Sequence, residues 1–114
     1  MLDTSGYHGG GDQYRHAMFR AFRYTEGVQY VAAHADAYWL MDAIFSHQIT
    51  KAAQREEFQV WTLKVDGKCR ATLTMTDGNF ETPRIQQKIA FTDFPEPEIV
   101  LWLVDKCLML PSEY

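Results

Sequence analysis

The chain has 114 residues, 46% hydrophobic and 23% charged, with a formal net charge of −4. This is the composition of an ordinary globular domain, and the length suffices to bury a core without disulfide or metal support. No window holds the roughly 18 consecutive apolar residues of a membrane span, and the N-terminus lacks the basic-then-apolar pattern of a secretory signal, so a soluble cytoplasmic domain without membrane contact is expected. The charge is uneven. Residues 1–34 carry three acids and three arginines, and residues 35–91 carry seven of each sign. The excess therefore lies in Asp93, Glu96, Glu98, Asp105 and Glu113, opposed only by Lys106. Acids at this density disfavour nucleic acid in that region by Coulomb repulsion.

Residues 1–13, with Gly6, Gly9, Gly10 and Gly11, show no periodicity and read as a flexible glycine-rich tail before a single domain over 14–114. From Tyr14 to Arg23, Met18, Phe19 and Phe22 share a helical side among Arg15, Arg20 and Arg23, which suits a short helix or an arm. Thr25 can cap a helix over 26–34, with Glu26 at the positive end of its dipole and Val28, Val31 and Ala32 as its apolar stripe. Asp36 can start a second helix running to His47, in which Ala37, Leu40, Met41, Ile44 and Phe45 recur at three- and four-residue steps. Residues 50–56 read as a polar linker.

The period then changes to 2. In 69–76 each odd position is apolar and each even one is Arg or Thr, a strand with one wet face. The preceding strand over 58–65 joins it through Asp66-Gly67. A three-residue loop, Val65-Asp66-Gly67 with Gly67 left-handed, aligns Trp61 and Leu63 with Cys69, Ala71, Leu73 and Met75 on one buried face and sends Arg70, Thr72 and Thr74 to the other. After a loop at Asp77-Gly78-Asn79, residues 84–91 alternate again with Ile85, Ile89 and Phe91 inward. The prolines of 93–98 mark an extended or turning connector. The runs 99–104 and 107–110, split by Asp105-Lys106, read as a strand hairpin. The fold expected is α+β, with N-terminal helices packed on one face of a four- or five-stranded antiparallel sheet.

Four segments, Tyr24–Tyr30 (YTEGVQY), Ala37–Ile44 (AYWLMDAI), Phe91–Pro95 (FTDFP) and Leu110–Tyr114 (LPSEY), resemble a family of small bacterial proteins of unknown function. The resemblance spans about 14–114 and leaves the glycine-rich tail outside. It implies one small α+β domain in a protein of the kind encoded by bacterial accessory genes and mobile elements, and it transfers no catalytic residue.

Residues that carry chemistry are sparse. Cys69 and Cys107 lie in apolar segments and read as free, buried thiols, with Cys69 inert beside Arg70. His34, Tyr38 and Asp42 fall at four-residue steps on one helical face, which gives a buried or capping polar row sooner than a metal site, so no metal and no cofactor is expected. No phosphate loop, Cys-x-x-Cys or nucleophile elbow is present. Arg15, Arg20 and Arg23 with Phe19, Phe22 and Tyr24 form the one basic aromatic cluster. It could serve nucleic acid, but three charges are few, and salt bridges or a solvated face fit them better. Trp39 lies off the Leu40, Ile44 stripe, which marks it as exposed and available to a partner, whereas Tyr38 lies nearer that stripe. The reading is a non-catalytic protein-binding module, an inhibitor or adaptor, using Arg20, Arg23, Tyr24, Tyr30 and Trp39 on a protein partner or a second copy. Nucleic-acid binding and a small metal-dependent enzyme are the alternatives.

Overall fold

A computed structural model describes residues 4–7, 12–77 and 83–114. In chain order the elements are β1 (Gln13–Arg15), β2 (Arg23–Thr25), α1 (Glu26–His34), α2 (Tyr38–Ser46), the one-turn α3 (Lys51–Gln54), β3 (Phe58–Val65), β4 (Ala71–Thr76), β5 (Ile85–Ile89), β6 (Glu98–Val104) and β7 (Cys107–Met109). Short 3-10 turns occupy His47–Ile49 and Pro111–Glu113. The strands form one sheet in the order β1-β2-β7-β6-β3-β4-β5, antiparallel throughout except where β2 runs parallel to β7. The class is α+β as expected, but the sheet is seven-stranded and mixed, not four- or five-stranded and antiparallel.

The two extra strands come from the segment expected as a helix or an arm. A helix of this length depends on tertiary packing, so its weak local preference yields to strand pairing. Instead Tyr14 pairs with Tyr24 and Arg15 with Arg23, and β2 in turn takes the open edge of β7. Of the glycine-rich tail, residues 1–3 and 8–11 lie outside the described residues; Gln13 belongs to β1, and the Tyr7 ring lies 5.5 Å from that of Tyr30.

Both helices keep their expected stripes. Thr25 caps α1, its hydroxyl accepting from the Val28 N–H at 3.4 Å. Asp36 does not start α2; it ends α1. At φ 52° it takes the left-handed position after the helix, and the Ala37 N–H closes onto the Ala32 carbonyl at 2.9 Å. Val28, Val31, Ala32, Leu40, Met41, Ile44 and Phe45 pack against Trp61, Leu63, Leu73, Met75, Leu101, Leu103 and Leu108 of the sheet. The expected linker holds α3, capped by Thr50, with Ala53 1% exposed.

The parity of β3 and β4 is as read: Trp61 pairs with Met75, Leu63 with Leu73 and Val65 with Ala71, all on the core side. The loop is different. It spans five residues, 66–70, and closes through the Asp66 N–H to the Arg70 carbonyl at 2.8 Å. The left-handed residue is Cys69, at φ 61°, rather than Gly67. A three-residue loop would pair Lys64 with Lys68, whereas Lys64 pairs with Thr72; the shift is even, so every side chain keeps its face. Cys69 and Arg70 thereby leave the strand, and Cys69 is exposed instead of buried.

β5 stops at Ile89, so Phe91 escapes the alternation and is 72% exposed rather than inward. Phe94 from the connector enters the core in its place, with its N–H donating to the Thr92 hydroxyl at 3.1 Å. The β6–β7 hairpin turns on Asp105 and Lys106, at φ 50° and 62°, the two positive angles that a two-residue loop between right-twisted strands requires. β7 ends at Met109, one residue short of Leu110. On the sheet face of opposite parity to the core, Phe58, Val60, Val100 and Trp102 are half-buried, and the Phe58, Trp102 and Tyr114 rings meet at 5.0–5.7 Å.

Candidate functional site

Apolar residues at Leu40, Met41, Ile44 and Phe45 fix which side of α2 meets the core. Trp39, Ala43 and Ser46, at four- and three-residue steps, then line its flank. Facing that flank is β5, the last strand of the sheet, and between them opens a shallow groove of about 550 Å³. Its walls are Trp39, Ala43 and Ser46 from α2, Gln87, Lys88 and Ile89 from β5, and Met18 and Phe19 from the turn between β1 and β2; Asp42 stands at the margin. Met18 is 78% exposed, and Trp39 is half-buried rather than exposed. Tyr38, expected nearer the core, is 43% exposed, because α2 begins there and turns its ring outward to accept a hydrogen bond from Gln29 Nε2 at 2.8 Å.

The Met18-Phe19 wall is positioned by His16, a buried residue 26 positions from its partner Asp42. His16 Nδ1 accepts from the Met18 and Phe19 backbone N–H groups at 3.0 and 2.9 Å. The ring proton therefore sits on Nε2, which donates to Asp42 Oδ1 at 2.6 Å. Phe45 packs edge-on to the ring at 5.1 Å. With both nitrogens engaged, His16 offers no lone pair to a substrate in this arrangement, and its work is to fasten the β1–β2 hairpin to α2. On the groove's β5 side, Gln87 Oε1 pairs with His47 Nε2 at 2.7 Å, and the His47 ring stacks on buried Trp61 at 5.6 Å. The groove thus combines apolar walls on fixed elements with one carboxylate, Asp42, at its margin. That composition suits an apolar side chain carried by a polar backbone.

The other expected site residues are dispersed. Tyr24 stacks on Tyr14 at 5.6 Å, and burial, then the neighbouring Tyr38, Tyr14 and Asp42, pushes its hydroxyl above the ordinary value. Tyr30 lies between Tyr7 and His34, in a separate ring group. Arg23 donates to Gln13 Oε1 at 3.0 Å and to the Asp105 carbonyl at 3.4 Å. Arg20 is exposed, and its carbonyl accepts from Arg15 Nη1. The row of His34, Tyr38 and Asp42 does not exist, because the break at Asp36 puts His34 on α1 and the other two on α2. Among the described residues no three His, Cys, Asp or Glu side chains are grouped to hold a metal, and no helix is long and apolar enough to cross a membrane.

Two of the polar groups that went unread in the sequence left a signal there. One is the His16–Asp42 pair, for which the signal was an aspartate on an otherwise apolar helix. The other surrounds Gln59, 4% exposed, which exchanges amide hydrogen bonds with Gln48 at 2.9 and 3.0 Å and accepts from Trp61 Nε1 at 2.9 Å. Its position on the parity of Trp61 and Leu63 was the signal.

The four segments singled out by resemblance serve the architecture: Thr25 and Gly27 meet Glu113, Asp42 meets His16, and Thr92 and Phe94 pin the connector. No curated protein and no solved structure matches the chain. The DUF6876 family, described as a family of unknown function, matches residues 3–114, and it is to this family that the chain belongs.

Proposed function

We propose that the chain is a non-catalytic protein-binding module that takes an apolar segment of a protein partner into the Trp39 groove. The observation that carries this reading is Trp39 itself, half-buried beside Met18, with the wall around it held by the His16–Asp42 bond. Trp, with Tyr and Arg, supplies much of the binding energy of protein interfaces, most of all when part of the ring is already desolvated. The resemblance to small bacterial accessory proteins supports an inhibitor or adaptor role, for example against a host defence complex. The groove serves no nucleic acid in this reading: Arg15 and Arg23 already bond within the hairpin and to β6–β7, which leaves a weak phosphate footprint.

The test is affinity purification from the native host with wild-type protein and Trp39→Ala, each first shown to melt at a similar temperature. Proteins recovered by the wild type and lost with Trp39→Ala support the reading, and an identical set from both overturns it. A second reading, association of two copies, is favoured by the Phe58–Trp102–Tyr114 cluster on the other sheet face. Sedimentation at increasing concentration separates the two: a dimer abolished by Trp102→Ala and untouched by Trp39→Ala favours the second.

A further inference from the structure

We propose that the partner segment binds as an added strand on the free edge of β5, extending the sheet beside α2. This rests on the groove reading above and specifies its geometry. Among the described residues β5 pairs only with β4, so the backbone groups of its five residues that point away from β4 have no strand partner. A sheet edge of this kind is a template for another extended chain. The opposite edge, β1, has only three residues. What distinguishes β5 is the neighbouring helix: Trp39, Ala43 and Ser46 run along the same slot as Gln87 and Ile89, so a strand laid on β5 has a ready apolar seat for its inward side chains.

The geometry also selects the occupant's chemistry. Side chains of an added strand alternate between the two faces. Those on the helical face meet Trp39, Phe19, Met18 and Ile89, which takes a large apolar residue. Those on the far face meet Lys88, whose cross-strand neighbour on β4 is the neutral Thr72. An acidic residue there completes a cross-strand pair of opposite charge. The partner is therefore an extended peptide alternating an apolar with an acidic residue, not a helix or a flat protein surface.

The experiment uses the full chain and peptides selected against it from a displayed library of short random sequences. Selected peptides are expected to alternate apolar and acidic residues and to slow amide hydrogen exchange within 85–89. Affinity should fall roughly tenfold for each N-methyl group placed on an edge-facing backbone nitrogen of the peptide. Trp39→Ala should weaken the same peptides. If they depend on Trp39 but tolerate every backbone methylation and leave β5 exchange unchanged, strand addition is wrong while the groove reading stands. If no peptide is enriched, or none responds to Trp39→Ala, both fail.

Discussion

Glu113 and Gly27, 86 residues apart, meet at the start of α1, where the Gly27 N–H donates to Glu113 Oε2 at 3.1 Å. The other carboxylate oxygen accepts from the Thr25 hydroxyl at 2.5 Å and the Leu110 N–H at 2.9 Å. A charge from the C-terminal turn thus caps a helix near the N-terminus, at the positive end of its dipole. This bond joins the first and last of the four resemblance segments, and it accounts for the glycine: a Cβ at position 27 would stand 2.6 Å from both Glu113 Oε1 and Leu110 Cδ1.

Gly27→Ala should therefore destabilise the fold although alanine is the better helix former. The propensity gain is about 1 kcal/mol at most, whereas overpacking against a fixed carboxylate costs about 1–3 kcal/mol. Glu113→Ala should lower stability by about 1–3 kcal/mol, since it leaves buried donors at Thr25 and Gly27 unmatched. Urea denaturation measures both. A Gly27→Ala protein more stable than wild type would show that the turn at Pro111–Glu113 gives way freely.

The amide cluster at Gln59 predicts an asymmetry between two substitutions. Gln59→Ala removes the acceptor of buried Trp61 Nε1 and the partner of Gln48, at a cost of about 2–3 kcal/mol. Gln54→Ala, on an exposed residue of α3, should change stability by less than about 0.5 kcal/mol. Equal effects in denaturant titrations would mean that the Gln59 network contributes nothing.

Thiol chemistry should divide the two cysteines. Burial pushes the Cys107 thiol up, and the Glu113 and Asp105 carboxylates add to this against the opposing Arg23. Cys69 lies exposed in the 66–70 turn. One equivalent of Ellman's reagent should react promptly, and the second only on unfolding. Cys69→Ser should remove the fast phase, and two fast equivalents in the native protein would contradict the placement of Cys107.

The same turn carries a pH signature. Backbone N–H groups of Arg70 and Lys68 hold the Asp66 carboxyl below its ordinary 3.8, with the Arg70 side chain adding to them. A carboxyl depressed in the folded state contributes stability that is present above the unfolded value and lost as the pH falls through the folded one. The window thus lies below about pH 4. Asp66→Asn should be less stable than wild type at neutral pH, with the difference shrinking through that range. A difference constant from pH 7 to pH 2 would place the effect in side-chain shape rather than charge.

The local pattern determined much of this protein on its own. Alternation in 58–65 and 71–76 set which side chains face the core, because a side-chain period of two survives any even error in loop length. The Thr25 cap and the stripe of Leu40, Met41, Ile44 and Phe45 were legible for the same reason: each depends on neighbours three or four residues away. What only the tertiary structure decided is where remote segments meet. Helical spacing in Met18, Phe19 and Phe22 was overruled because β2 found the open edge of β7, a pairing that no local period encodes. Cys69 was lost to the turn because Asp66 could accept two backbone N–H groups and hold a longer loop. The Trp39 groove depended on all of these. Trp39 was visible as a ring off the core stripe, but the walls of its groove come from a hairpin and a helix that His16 and Asp42 join across 26 residues, and from an edge strand whose Gln87 bonds to His47. Long-range contacts of that kind follow from closing the chain, and each is worth enough free energy to override a weak local preference.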